Sequence, residues 1–349
     1  MHRWNRGLLL AAMAAAMMSG RKLAAQVAAT PAPQLSISGV GYTQWNYNVS
    51  GTQHNNAFDV TRTYLNFNAK FAGGVAVRIT PDIYRQANGP DSALAYRLKY
   101  AYVAYAPGAG NVTWKFGMIQ TPWLSREEDL WDYRMQGSMA LERYTGMSSA
   151  DLGLSADAKL VGGRLDLNAG IYNGEGYKKA ERDQRKDLMV RASYRLATTS
   201  DISASGGFRV SGYAQVGRPT GGGARHRYLA MVSYKTTQYM LAAEYVITKD
   251  SSTAAATPEV SGSLIGLFGV YHIPNSKIAL IGRVDLADPN TDVSNNKSTG
   301  IITGVSYQLS PNLRVLGDVD LLSHEAGDPT PASGVDPRNK ALFQAQFTF

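Results

Sequence analysis

The residues best placed to do chemistry are cations at alternating positions. Arg62, Lys70, Arg78, Arg97, Lys99 and Lys115 punctuate the first third of the chain, with Asp82 as the acid among them. Arg191, Arg195 and Arg209 follow, and the late acids Glu244, Asp285, Asp318 and Asp320 come after those. No histidine, serine or cysteine stands in a motif with these cations that would serve proton transfer or nucleophilic attack. Their chemistry is electrostatic: steering, holding or sorting charged solutes. A second charged group is denser. Arg126, Glu127, Glu128, Asp129, Asp132, Arg134, Glu142 and Arg143 share one stretch with Trp123, Leu124, Leu130, Trp131, Tyr133, Met135, Met139 and Leu141. The chain has no cysteine and its five histidines are scattered, so no metal site or cofactor is expected. Asp318 and Asp320 fall on one strand face and could work as an acid–base pair, the alternative being an enzyme built on a barrel wall. Charge lining a lumen explains them equally well. His272 has the phase of lipid-facing neighbours.

The elements that must carry these cations are strands. Around Arg62 the positions Arg62, Tyr64, Asn66, Asn68 and Lys70 share one face, and Thr63, Leu65, Phe67, Ala69 and Phe71 share the other. The alternation recurs along the chain and ends in Phe343, Phe347 and Phe349. We read sixteen strands, at about 34–47, 59–71, 75–84, 94–106, 112–119, 150–161, 164–172, 187–196, 207–216, 227–235, 238–248, 263–273, 277–287, 299–309, 313–323 and 339–349. Short turns such as Gly73-Gly74 and Gly162-Gly163 alternate with long loops, the asymmetry of outer-membrane barrels. The connection 197–206 breaks this rhythm, and an earlier start of the ninth strand would restore it. The fold class is therefore all-β, a transmembrane antiparallel barrel of about sixteen strands. No apolar stretch of the mature chain is long enough for a membrane helix.

A charge facing lipid at mid-depth costs about 2–4 kcal/mol, which turns the cationic face inward. By that test Leu94, Tyr96, Leu98, Tyr100 and Tyr102 face lipid while Arg97 and Lys99 face the lumen. The long connection 120–149 is too apolar to stand in water and is expected to fold into the lumen as a constriction loop. Ser125 and Glu128 have the spacing of a capping box, which would put Glu127, Glu128 and Asp129 in the first turn of a short helix. Acids on the loop facing cations on the wall would set a field across the lumen.

Residues 1–29 read as a secretory signal with cleavage near 25–29, and 30–349 as a single barrel domain. The full chain carries 35 basic and 27 acidic residues; without the leader cations Arg3, Arg6, Arg21 and Lys22 the balance is 31 against 27. Most of the basicity belongs to trafficking, and no nucleic-acid partner is expected.

The segments TRTYLNFNAKF (61–71), RLKYAYVAYAP (97–107), WKFGMIQTPW (114–123), LERYTG (141–146) and IYNGEGY (171–177) resemble the phosphate-selective porin O and P family. The resemblance implies a trimeric sixteen-strand channel of the Gram-negative-type outer membrane, reached after secretion across the inner membrane. It does not align this chain's cations with that family's arginine ladder, so phosphate specificity does not carry over. The expectation is a water-filled channel for passive diffusion of small hydrophilic solutes and ions, weakly tilted toward anions; the alternative is a substrate-specific anion channel of phosphate type. Expected partners are outer-membrane lipid, the solutes, further copies of the chain, and the barrel-assembly machinery, with Phe349 as the assembly signal. Gly39 and Gly41 offer a site of close approach or a kink in the first strand.

Overall fold

The computed structural model describes residues 31–86, 93–108, 110–198, 206–251, 258–327 and 335–349. The leader expected over 1–29 lies outside them. The unit Pro33–Phe349 is a closed antiparallel barrel in which each strand pairs with its sequence neighbours and β1 pairs with β16. Its first half is β1 (Gln34–Gly51), β2 (Asn56–Lys70), β3 (Val75–Arg85), β4 (Leu94–Tyr105), β5 (Val112–Gln120), β6 (Ala150–Leu160), β7 (Leu165–Tyr172) and β8 (Asp187–Ala197). The second half is β9 (Gly207–Gly217), β10 (Arg225–Lys235), β11 (Tyr239–Asp250), β12 (Val260–His272), β13 (Ile278–Asp288), β14 (Ser298–Ser310), β15 (Leu313–His324) and β16 (Val335–Thr348). The ninth strand begins at Gly207, so the connection after Ala197 keeps its length; 199–205 lie outside the described residues.

Closure leaves no sheet edge, so backbone polar groups are met by neighbouring strands without water. The outer face is an apolar band, with Phe67, Ile79, Phe116, Leu154, Val190, Val232, Leu241, Leu267, Leu280 and Val305 all exposed. Phe67 and Ile79 are directly opposed across β2 and β3, which extends the band from strand to strand. The tight turn into β3 uses Gly73 and Gly74 at φ 76° and 80°, the left-handed region that a side chain strains to reach.

The seam between β1 and β16 has its own device. Gly39 and Phe349 exchange backbone hydrogen bonds of 2.9 and 3.1 Å. The rings of Phe349 and Phe347 lie over Gly39 and Gly41, in space that a Cβ at either glycine would need. The glycines therefore are sites of close approach, taken up by aromatic rings of the chain itself.

One strand departs from simple alternation. Thr80 pairs with Tyr100 and Pro81 with Leu98, which leaves Lys99 unopposed in a β-bulge. Pro81 has no N–H to give the ladder and suits that place. Beyond the bulge the phase of β4 reverses. Tyr100, 7% exposed, and Tyr102 turn inward against cations, while Val103 and Tyr105 face out. Their assignment to lipid is corrected, because a one-residue slip exchanges the two faces of a strand.

Candidate lumen constriction

The loop between β5 and β6 forms two helices, α1 (Pro122–Trp131) and α2 (Ala140–Thr145), with a 3-10 turn at Arg134–Gln136 between them. The cap of α1 differs from expectation. Thr121 is the N-cap residue and Pro122 occupies the first turn, whose preset φ and missing N–H fit there. Ser125 lies inside the helix and donates back to the Thr121 carbonyl at 3.1 Å. Glu127, Glu128 and Asp129 consequently fall beyond the first turn, and the dipole does not account for them.

The loop is fastened to the inward wall of the second half of the barrel. Trp123, Leu124, Leu130, Trp131, Tyr133, Met135, Met139 and Leu141 are each at most 2% exposed. They pack with inward residues of several strands, among them Leu229, Met231, Met240, Phe268, Val270 and Ile281. Trp131 meets the Phe268 ring edge-on at 5.6 Å, and Trp123 lies 5.8 Å from Tyr213. Polar contacts surround this core: Tyr133 with Ser306 at 2.7 Å, Gln136 with Asp318 at 3.1 Å, Arg143 with Asp320 at 2.9 Å, and Arg283 to the Ser138 carbonyl at 2.8 Å. Asp318 and Asp320 thus hold the loop rather than facing each other as a catalytic pair. His272 ends β12 in the phase of the inward Phe268 and Val270, which corrects its assignment to the lipid face.

Glu127 is fully buried, beside the Glu244 carboxyl and within the fields of Arg283 and Asp285. Burial, reinforced by the Glu244 charge, pushes the Glu127 carboxyl well above the carboxylate range. Glu128 behaves oppositely. Burial would raise it, but Arg134, Lys99 and Arg62 outweigh that and hold it below its ordinary value. Arg134 pairs with Glu128 at 3.1 Å and with Glu142 at 3.3 Å, so the loop neutralises part of its own charge. Asp132 pairs with Arg314 of β15 at 3.1 Å.

Across from the loop stand the cations of β2 to β5. Arg97 is neutralised by Asp82 at 2.7 Å and Lys115 by Asp157 at 2.7 Å. Arg62, Arg78 and Lys99 have no carboxylate partner among the described residues. Arg62 lies 5.6 Å from the Tyr64 ring centre. Lys99 donates to the Tyr64 hydroxyl at 2.7 Å and sits 5.5 Å from the Tyr100 ring. Arg78 bonds Asn66 at 2.7 Å and covers Tyr100 at 4.7 Å. Pairing of β2 with β3 and β3 with β4 sets these cations at successive heights on one wall, interleaved with tyrosines. Lys70 is exposed at the strand end. Arg191 and Arg195 lie in the inward phase of β8 with the buried Ser193. Arg209 bonds Asp166 at 3.1 Å.

Sequence reasoning missed one participant. Tyr177, from the loop between β7 and β8, is 8% exposed and packs on Tyr100. Its backbone N–H bonds the Ala150 carbonyl at 3.0 Å, and its ring lies 4.8 Å from Arg97 and 5.8 Å from Lys99. A second outer loop thereby covers the cationic wall. The run IYNGEGY carries glycines at φ 101° (Gly174) and 74° (Gly176), the local signal that the chain turns back there.

A closed sixteen-strand barrel with an inward loop after β5 defines a porin-type fold. Solved structures agree. The chain is similar to an anion-selective porin from Comamonas acidovorans at 12% identity, with TM-score 0.66 over 91% of this chain and 100% of that one. It is similar to OmpT, an outer membrane protein of Vibrio cholerae solved in a trimer form, at 12% identity and TM-score 0.62, over 91% and 100%. It is also similar to Salmonella typhi OmpF in complex with daunomycin, at 13% identity and TM-score 0.63, over 90% and 97%. No family model matches the sequence, and no curated protein matches it. At these identities the likeness is one of fold.

Proposed function

We propose that the chain is an outer-membrane porin: a water-filled channel through which small hydrophilic solutes and ions diffuse passively, with a weak tilt toward anions. The observation that carries this reading is the unequal lumen. One wall presents Arg62, Arg78 and Lys99 without carboxylate partners among the described residues, and across from it the loop's Glu128 is spanned by Arg134. Positive charge on the wall and partly offset negative charge on the loop set a field across the path. A polar solute aligns its dipole in that field and keeps its interactions while shedding water; an apolar solute loses water and gains nothing in return. The surplus of cations favours anions in the ionic current. The likeness to an anion-selective porin supports the same tilt.

A homotrimer in the outer membrane, reached by secretion and assembled through a machinery that reads Phe349, belongs to this reading, with the trimer form of OmpT in its favour. The narrower alternative, a phosphate-type channel, rests on the resemblance in strands β2, β4 and β5. Among the described residues no cluster of His, Asp and Glu could hold a metal.

Single-channel recording in a planar bilayer under a salt gradient tests the reading. Discrete steps with a modest anion-sided reversal potential, unaffected by added phosphate, are the expected result. Saturable block by phosphate would establish the narrower channel. A folded, inserted protein without conductance would overturn the channel altogether.

A further inference from the structure

Between α1 and the wall formed by β5 to β8 lies a polar cavity of about 360 Å³, lined by Lys115, Arg126, Asp129, Asp157, Asp166 and Arg191 among others. Two of its charges are already matched within the protein: Asp157 by Lys115 at 2.7 Å and Asp166 by Arg209 at 3.1 Å. Two are not. Asp129, on the loop helix, is exposed to the cavity, and its carboxylate has no hydrogen-bond or ion-pair partner among the described residues. Its backbone carbonyl alone is engaged, by Lys235 at 2.6 Å. Arg191, on β8, lines the cavity and buries Nε and Nη1 without an acceptor. The two groups feel each other's charge yet form no ion pair. A loop carboxylate and a wall guanidinium thus line one space, neither in an ion pair, Arg191 in the fields of Asp166 and Asp157 and Asp129 in that of Arg126, with room between them for a small molecule. An unmatched buried guanidinium is costly, and a solute carboxylate beside Arg191 recovers part of that cost; at the exposed Asp129 an ammonium adds a contact of surface strength.

We propose that this cavity is a subsite for small zwitterions of the α-amino-acid class, which rests on the channel reading above. The solute's carboxylate engages Arg191 on the wall, with Arg126 near it, and its ammonium engages Asp129 on the loop. Simple anions find one partner and repulsion from Asp129; simple cations find the reverse. A zwitterion has no net charge, so this preference is separate from the anion tilt of the ionic current.

Four isosteric solutes separate the possibilities: alanine, lactate, alaninamide and lactamide are a zwitterion, an anion, a cation and a neutral molecule of nearly one size. Tracer fluxes into liposomes bearing the full-length protein should be fastest and saturable for alanine. D129N should lower the alanine flux relative to lactate by about fivefold, the ratio that one unit charge at contact distance gives in a water-like dielectric. R191Q should lower it relative to alaninamide by a similar factor. Salt conductance, recorded on the same preparations, confirms that each variant is folded and open. Equal fluxes of the four solutes with salt conductance intact would overturn the subsite and leave the channel standing. A uniform slowing of all four in both variants would also overturn it, assigning the two residues to structure. Loss of salt conductance in the unaltered protein would overturn the channel and the subsite together.

Discussion

The inward positions of β2 to β4 and those of β10 to β13 have opposite character. The first set holds Arg62, Arg78, Arg97 and Lys99 among tyrosines; the second holds Leu229, Met231, Met240, Val246, Leu264, Phe268, Val270 and Ile281. Both sets belong to one barrel and face one interior. The difference lies in what covers them. The loop between β5 and β6 turns its tryptophans, leucines and methionines to the second set, so that half of the interior is a packed hydrophobic core. Its acids Glu128 and Glu142, bridged by Arg134, lie toward the first set, which keeps its charges. The packed half keeps a few buried charges, such as the Arg283–Asp285 pair at 2.6 Å, while the cations of the first half stand without such a core around them.

Breaking the apolar half should have the largest effect. Trp123→Ala removes a fully buried ring from the junction of loop and wall, and a cost of about 3–5 kcal/mol is expected. The thermal midpoint of the folded barrel should fall, and the channel should become wider and noisier as the loop detaches. A W123A protein with unchanged midpoint and conductance would show that the loop is held by its polar contacts instead.

The second test uses Glu127, buried at the same junction. Its raised pKa means that the folded protein holds the carboxyl proton more tightly than an unfolded chain does. The sign follows from linkage: the contribution is complete below the ordinary carboxylate range and is lost as pH rises from that range through the raised value. Loop attachment should therefore weaken on going from acidic to alkaline pH, read as increasing conductance noise or a falling midpoint. E127Q should flatten that dependence. Equal pH profiles for the two proteins would remove Glu127 from the account.

The smallest effect is expected on the cationic wall. Arg62→Gln deletes one charge from a water-facing path, worth about 1 kcal/mol or a factor of about five in relative ion permeability at most. The reversal potential should move toward cations without loss of stability. An unmoved potential would place the ionic path on another flank of the loop, beside Lys115 and Arg191.

Much of this contrast was legible in the sequence, and the rest has physical reasons for being hidden. Strand number and order followed from alternation and turn chemistry, because Arg62 beside Thr63 and Leu65 leaves one arrangement that keeps charge from lipid. The apolar half was hidden for the same reason. In β12, Ile265 and Leu267 face out while Leu264, Phe268 and Val270 face in, so no alternation exists to read. Tyr100 and Tyr102 were misplaced because a bulge at Lys99 leaves no composition signal beyond Pro81 on the next strand. Thr121 took the cap from Ser125 because Pro122 starts the helix four residues earlier than the capping-box spacing suggested. Tyr177 was unreadable, since its place depends on a contact between two loops.

The seam where Gly39 and Gly41 receive Phe349 and Phe347 has a consequence for the order of events in folding. Every other joint of the barrel connects consecutive strands, so each can zip from its own hairpin. This one pairs segments about as distant as the chain allows: Gln344 donates to Gln44 across 300 positions. Contacts of such separation form late, because the entropy of bringing their ends together is offset only once the intervening strands are ordered. The two rings settling on two bare glycines fix the register of that last joint at a single value. Ring closure is thus expected to come late, converting an open curved sheet into a container whose last register the aromatic pair helps to fix.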